Sequence, residues 1–358
     1  MAGQIVLDDS TEGALDAIEA YFERGWTDGL PVVPPVRSRV DRMLEAVDRP
    51  PSDELGEVPP RMGVATVEAV AINAVMAGCR PDYFPVVLAA VEAALEPAFN
   101  LNGVQATTNP CAPLVIVSGP AVTDLGFNSG FNCFGQGNRA NATVGRALRL
   151  VMMNLGGGHP GTGDKSTLGQ PAKYTFCVGE SPDSPWEPLH VERGLSPAES
   201  GVTVMACTYH SFLGGWTRER DGDRAALDVL RAYAGAVGGI EGDFLQNFGG
   251  QVGLVFTPLK ARLLAEQGWT KPAIKQYLYE KVRVPMPPRG ELHTRGEDEE
   301  LMPQWLKAAD ETMTLPLVRR PENYQIVCCG DAYSTWGALL IGWGYMGGYA
   351  QTKPIRSR

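Results

Sequence analysis

His190 sits in the segment 186–193 (WEPLHVER), two residues before Glu192 and three after Glu187. Pro188 favours an extended chain, and in a strand residues two apart share a face. A histidine and a carboxylate on one face form an oriented acid–base pair, or supply two ligands to a metal. His190 and Glu192 are therefore the expected catalytic pair and the candidate metal ligands. A bend at Pro188 would add Glu187 to them. A surface strand whose histidine hydrogen-bonds an acid has the same spacing.

Two loops suit ligand binding. Residues 128–141 (NSGFNCFGQGNRAN) lead into a predicted helix, whose N-terminus would favour an anion. Asn138 and Asn141 are expected to orient a substrate, and Arg139 to bind its carboxylate through a bidentate fork. Capping and turn chemistry alone would also account for this run. Residues 157–167 (GGHPGTGDKST) nearly match a phosphate-binding loop, which needs Gly, four residues, then Gly-Lys-Ser/Thr. Asp164, between Gly163 and Lys165, puts a carboxylate where phosphate should lie, so no nucleotide cofactor is expected. A flexible loop over a small molecule is the better reading, with His159 and Lys165 as its contacts. His210 follows a strand and is expected in the same cleft, unless it is a core histidine.

Seven cysteines, odd in number and scattered, suit reduced thiols in a cytosol. There is no C-x-x-C. Cys79, Cys111 and Cys133 could still meet at an iron–sulfur cluster, although isolated cysteines usually pack as small hydrophobes. The vicinal pair Cys328-Cys329 at a strand end is less ordinary and reads as one core residue and one accessible thiol.

These residues need a scaffold. The chain has 358 residues, 44% of them hydrophobic, and a formal charge of −10 from 31 Lys plus Arg against 41 Asp plus Glu. That acidity argues against nucleic acid, and no apolar run is long enough for a membrane span. The N-terminus lacks a basic region followed by an apolar stretch, so a secretory signal is not expected. Apolar spacing predicts helices over 36–47, 65–76, 83–95, 139–154, 225–237, 261–267 and 271–279, with another starting near Thr11. Short apolar runs predict strands at 114–117, 202–207, 252–256 and 326–329. The strands ending at 119–120, 257–258 and 330–331 echo one another, as related helix–loop–strand units would. Residues 285–321 form the most charged stretch, with one short helix from Pro303 to about Thr312.

Four strings resemble the UGSC (seleno)protein family: WTDGLPVVPP at 26–35, INAVMAGCRPDYFPVVLAAVEA at 72–93, GNRANATVGRALRL at 137–150 and SPWEPLHVERG at 184–194. The resemblance spans roughly 15–355 and is to the long region that accompanies the Sec/Cys-Gly-Ser-Cys segment. That segment is absent here, so its redox chemistry is not implied, and the resemblance names no particular reaction. Cys133 and Cys328-Cys329 stand where the family pattern implies small residues.

The expected fold is α/β, with mixed sheets and packed helices. The expected divisions are an arm over 1–60, a core over 61–284, a charged excursion over 285–322 and a completing segment over 323–358. The expected function is that of a cytoplasmic enzyme acting on a small polar, carboxylate-bearing metabolite, of lyase, hydratase or hydrolase type. A metal is possible in this reading. The alternatives are a redox enzyme centred on thiols, a metal or an iron–sulfur cluster, and a non-catalytic binding subunit. A homo-oligomer is expected, with Trp336, Trp343, Tyr345 and Tyr349 at subunit contacts or in the core.

Overall fold

Strands buried at every position must be covered on both faces, and the two longest of this kind, at 112–118 and 201–207, lie at the centre of the molecule. The computed structural model describes residues 11–214, 222–238, 250–285, 314–344 and 347–358. The helix expected from Pro303 to Thr312 lies outside the described residues, as does Tyr345.

The chain begins with α1 (Thr11–Glu23) and α2 (Arg37–Leu44). A hairpin of β1 (Glu54–Val58) and β2 (Gly63–Thr66) follows. The Thr66 hydroxyl then accepts from Ala69 N and caps α3 (Val67–Ala77), which Gly78 ends in the left-handed region. Next come α4 (Phe84–Ala94), α5 (Leu101–Ala106), β3 (Ala112–Ser118), α6 (Ala121–Asp124) and α7 (Arg139–Asn154). After these are β4 (Cys177–Gly179), α8 (Leu189–Glu192), β5 (Gly201–Cys207), β6 (Tyr209–Leu213) and α9 (Gly222–Gly238). The rest comprises β7 (Val252–Phe256), α10 (Pro258–Glu266), α11 (Lys271–Lys281) and the short pair β8 (Arg283–Pro285) and β9 (Thr314–Pro316). Three strands follow: β10 (Tyr324–Cys328), β11 (Gly337–Ile341) and β12 (Gln351–Pro354).

The fold is α/β, with two mixed four-stranded sheets, in the orders β12-β5-β3-β4 and β6-β11-β7-β10. Across each sheet the pairings run antiparallel, antiparallel, parallel. Three strands of each sheet come from one half of the chain, β3, β4 and β5 in the first and β7, β10 and β11 in the second. The fourth belongs to the other half: β6 leaves the first half to join the second sheet, and β12 returns from the second half to join the first. Two units of one topology thus exchange their last strands. The crossing after β5 takes a single residue, Thr208, whose amide donates to Ile341 O at 2.8 Å. The first two echoes, at 119–120 and 257–258, are equivalent positions after β3 and β7. The third is not, because β10 corresponds to β4.

Alternation within each strand builds four layers. Val115, Val117, Val202 and Val204 pack with α3, α4 and α7, while Leu114, Ile116 and Met205 face Val255, Val327 and Leu340 of the other sheet. Leu254, Phe256, Ile326 and Ile341 turn the other way, onto α9, α10 and α11. Trp343 is buried in the core on the first side, whereas Trp336 is 57% exposed. Among the described residues no single helix is long and apolar enough to cross a membrane.

Candidate functional site

Parallel neighbours β7 and β10 end side by side, and the carboxyl ends of such strands are where open α/β sheets form ligand crevices. A cavity of about 310 Å³ lies there, lined among others by Cys133, Cys329, His210, Thr257, Asp331 and Trp336. One wall is β6, and one is the turn after β10. The third is the loop 128–137 of the first unit, so the cavity lies between the two halves.

That loop is held by a side chain in the first turn of α7. The buried Asn141 amide accepts from Asn128 N at 2.8 Å and donates to Asn128 O and Cys133 O at 2.9 and 3.1 Å. A further hydrogen bond, from Gly330 N to Ser129 O at 2.8 Å, ties the loop to the second unit. The turn after β10 is braced by its own polar groups: Thr257 Oγ1 donates to Ser334 O at 2.6 Å, and Asp331 accepts from Tyr333 N at 3.1 Å.

This framework brings the Cys133 and Cys329 side chains together on one cavity, where the two thiols share a proton. The Cys329 thiol donates to Cys133, whose sulfur also accepts from the amides of residues 133 and 134, and this holds the Cys133 thiol below its ordinary range. Sharing that proton, together with burial, pushes Cys329 well above its own. A thiolate is the reactive form of cysteine, so Cys133 is the nucleophile of the pair. His210 flanks them between Phe176 and Phe212, at ring-centroid distances of 5.9 and 5.3 Å. Burial lowers its pKa, so the imidazole is neutral at pH 7, and its Nδ1 has no partner among the described residues. Three of the residues singled out in the sequence therefore meet here.

The others do not. His190 and Glu192 lie on the single turn of α8, not on a strand, and residues two apart on a helix point about 200° apart. Pro188 begins that turn, where its missing amide costs nothing. His190 is buried in the packing around β3 and β5: a Cβ added at Gly201 would lie 2.9 Å from it, and one at Gly119 3.2 Å. Both ring nitrogens lack a partner in hydrogen-bond geometry, and burial lowers the pKa. Glu192 instead pairs with Lys271 at 3.1 Å and with Lys275. Lys271 also lies 3.7 Å from Glu180, so α11 is pinned to the first unit by a buried ionic cluster. Glu187 is exposed.

Asn138 caps α7, accepting from Asn141 N at 2.9 Å. Arg139 donates twice to Gly78 O, at 3.0 and 2.9 Å. His159 and Lys165 belong to a loop closed on itself: the His159 carbonyl accepts three amides, and Lys165 donates to Gly161 O at 2.6 Å. Neither lines the cavity. Cys79, Cys111 and Cys133 do not converge. Burial pushes Cys79, Cys111 and Cys328 each up to about 12, which leaves them protonated and inert. Among the described residues no three His, Cys, Asp or Glu side chains are grouped as a metal ion requires. In the vicinal pair neither thiol is exposed, contrary to the accessible one expected: Cys328 faces α10 and α11, and Cys329 faces the other sheet.

Thr257, Asp331, Ser334 and Trp336 were not singled out as site residues. The signal for two of them was present, since 257–258 and 330–331 had been recognised as turns after buried strands. Compared with family models, with curated proteins and with solved structures, the chain finds no match.

Proposed function

We propose that this chain is an enzyme of small-molecule chemistry whose reacting group is the Cys133–Cys329 thiol pair. The observation that carries the reading is the meeting of a proton-sharing thiol pair and a neutral histidine on one cavity, beside the ends of two parallel strands. The reaction that suits this equipment is reduction of a small disulfide. The Cys133 thiolate attacks one sulfur of the substrate and expels the other as a thiolate. The Cys329 sulfur then attacks the Cys133 sulfur of the mixed disulfide, releasing the second half. The two products leave as thiols, taking one proton from Cys329, with His210 as its carrier, and one from water. The enzyme is left with a Cys133–Cys329 disulfide, which a second dithiol must reduce. All seven cysteines are free, as a reducing compartment requires.

Asp331 is the one formally charged side chain lining the cavity among the described residues. A neutral or cationic substrate therefore suits it better than the carboxylate-bearing one expected from Arg139 and Lys165. The kinship implied by the UGSC-like strings belongs to the same proposal. It is compatible with thiol chemistry through residues that the family pattern does not supply.

Cystamine, a small dicationic disulfide, added to fully reduced protein, is the first probe. The expected product is protein two hydrogen atoms lighter, with the bond mapped to Cys133 and Cys329. Alkylation by iodoacetamide should be confined to Cys133 and should titrate below the ordinary thiol value of about 8.5. Cys329→Ala should move that titration upward. Unselective alkylation, or a midpoint unmoved in Cys329→Ala, would refute the reading. One observation favours a second reading: the unpartnered Nδ1 of His210 opens the cavity to acid–base chemistry on a small polar metabolite. Turnover of such a compound that survives Cys133→Ser but not His210→Gln would select it.

A further inference from the structure

A second recess, of about 110 Å³, lies where the ends of α3 and α7 meet α2, away from the thiol cavity. Four guanidinium groups line it: Arg39, Arg42, Arg80 and Arg139. Arg39 and Arg42 stand three apart on α2 and so project from one face. Arg80 precedes the short turn before α4, and Arg139 is the first residue of α7. Against these four charges the described residues set a single paired carboxylate, Asp82, bound to Arg80 at 2.5 Å. Arg42 donates to Ser38 O and Arg139 to Gly78 O, both neutral carbonyls. The Arg39 guanidinium makes no ion pair or hydrogen bond among the described residues, its backbone amide alone donating to Val36 O at 2.9 Å. The neighbouring Arg37 is the contrast, because Asp41 and Glu68 both neutralise it.

Like charges gathered in this way repel, and a chain with a net charge of −10 has carboxylates to spare for compensating them. We infer that the recess binds a small dianionic oxyanion, a phosphate group being the best fit. Guanidinium groups arriving from three elements surround a tetrahedral anion, whereas a planar carboxylate is served by one fork. At roughly 10–15 Å³ for a single water, the recess admits a phosphate group with a small substituent but no nucleotide. The Arg139 contact expected from the sequence thus reappears, at a site separate from the chemistry. Bound anion would sit against the first turn of α7, the turn from which Asn141 holds the Cys133 loop.

The test is calorimetric titration of the full chain with inorganic phosphate, against sodium chloride at equal ionic strength. Saturable binding of one phosphate per chain is expected, weakened at least tenfold in the double variant Arg39→Gln, Arg42→Gln. Both positions are exposed, and the one hydrogen bond of the two side chains stays within α2, so that variant should fold. Without phosphate it should melt no lower than the parent, since repulsion is relieved. No heat beyond the chloride control, or equal affinity in the double variant, would overturn the inference. Succinate binding as tightly as phosphate would overturn the tetrahedral assignment.

Discussion

At the scale of the residue, the partner of a buried thiol, and not its depth, separates the reactive cysteine from the inert ones. Cys79 and Cys133 are about equally hidden, at 6% and 5% exposed. Yet Cys79 donates its proton to Thr143 O, whereas Cys133 receives one from Cys329. A second thiol to share the proton with, in place of a carbonyl that only accepts it, therefore separates the nucleophile from the inert side chain. His190 shows the reverse, a residue type that suggests chemistry put to use as filling. Removing its ring in His190→Ala should cost about 1–3 kcal/mol, the packing loss being partly offset by relief of unpartnered nitrogens. The urea midpoint reads the cost, and iodoacetamide reactivity at Cys133 should be unchanged. A lost thiol reactivity with full stability would return His190 to the site.

At the scale of the element, legibility followed locality. The helix predicted over 139–154 matches α7, because Asn138 caps it and its apolar face repeats over four turns. The strands at 252–256 and 202–207 were legible as wholly apolar runs. The turn at 189–192 was misread because Pro188 serves equally as a strand residue and as the entry to a helix. The cavity was illegible for a different reason: its thiols lie on different halves of the chain, and nothing in the local pattern around Cys133 points to Cys329.

The ionic cluster joining α8 to α11 also acts at this scale, and it makes a pH prediction. Burial raises the Glu180 carboxyl to about 6, with Lys271 opposing. The folded protein then holds a proton that the unfolded chain releases between about pH 4.5 and 6, so this group withdraws stability as pH rises through that window, by about 2 kcal/mol in all. Glu192 is shifted the other way by Lys271 and Lys275, so its contribution is lost only as pH falls below the ordinary carboxylate range. Urea unfolding at pH 4.5 and 7 should show Glu180→Gln gaining on the parent by about that amount as pH increases. A difference independent of pH would mean that the carboxyl is not strained.

At the scale of the whole molecule, neither sheet is complete without a strand from the other half. Arg193 holds β12 in place, donating to Thr352 Oγ1 and Ala350 O at 2.6 and 2.5 Å. The cavity too is made from both halves, with Cys133 on one and Cys329 on the other. The two units are therefore expected to unfold together. Calorimetry should give one transition, with calorimetric and van't Hoff enthalpies in agreement. Two resolved transitions would show that the units are energetically separate despite the exchanged strands.

The exchange also sets a timetable for biosynthesis. A ribosome completes the first half, with β3, β4 and β5 already able to pair, long before residues 351–354 exist. Throughout that interval the β5 edge that β12 will occupy is bare, and its residues Gly201 to Val204 offer unpaired amides and carbonyls to any passing strand. At roughly 5–20 residues per second, the nascent chain carries this exposed edge for about 7–30 s. Cells making this protein must shield one strand for the time it takes to synthesise its partner.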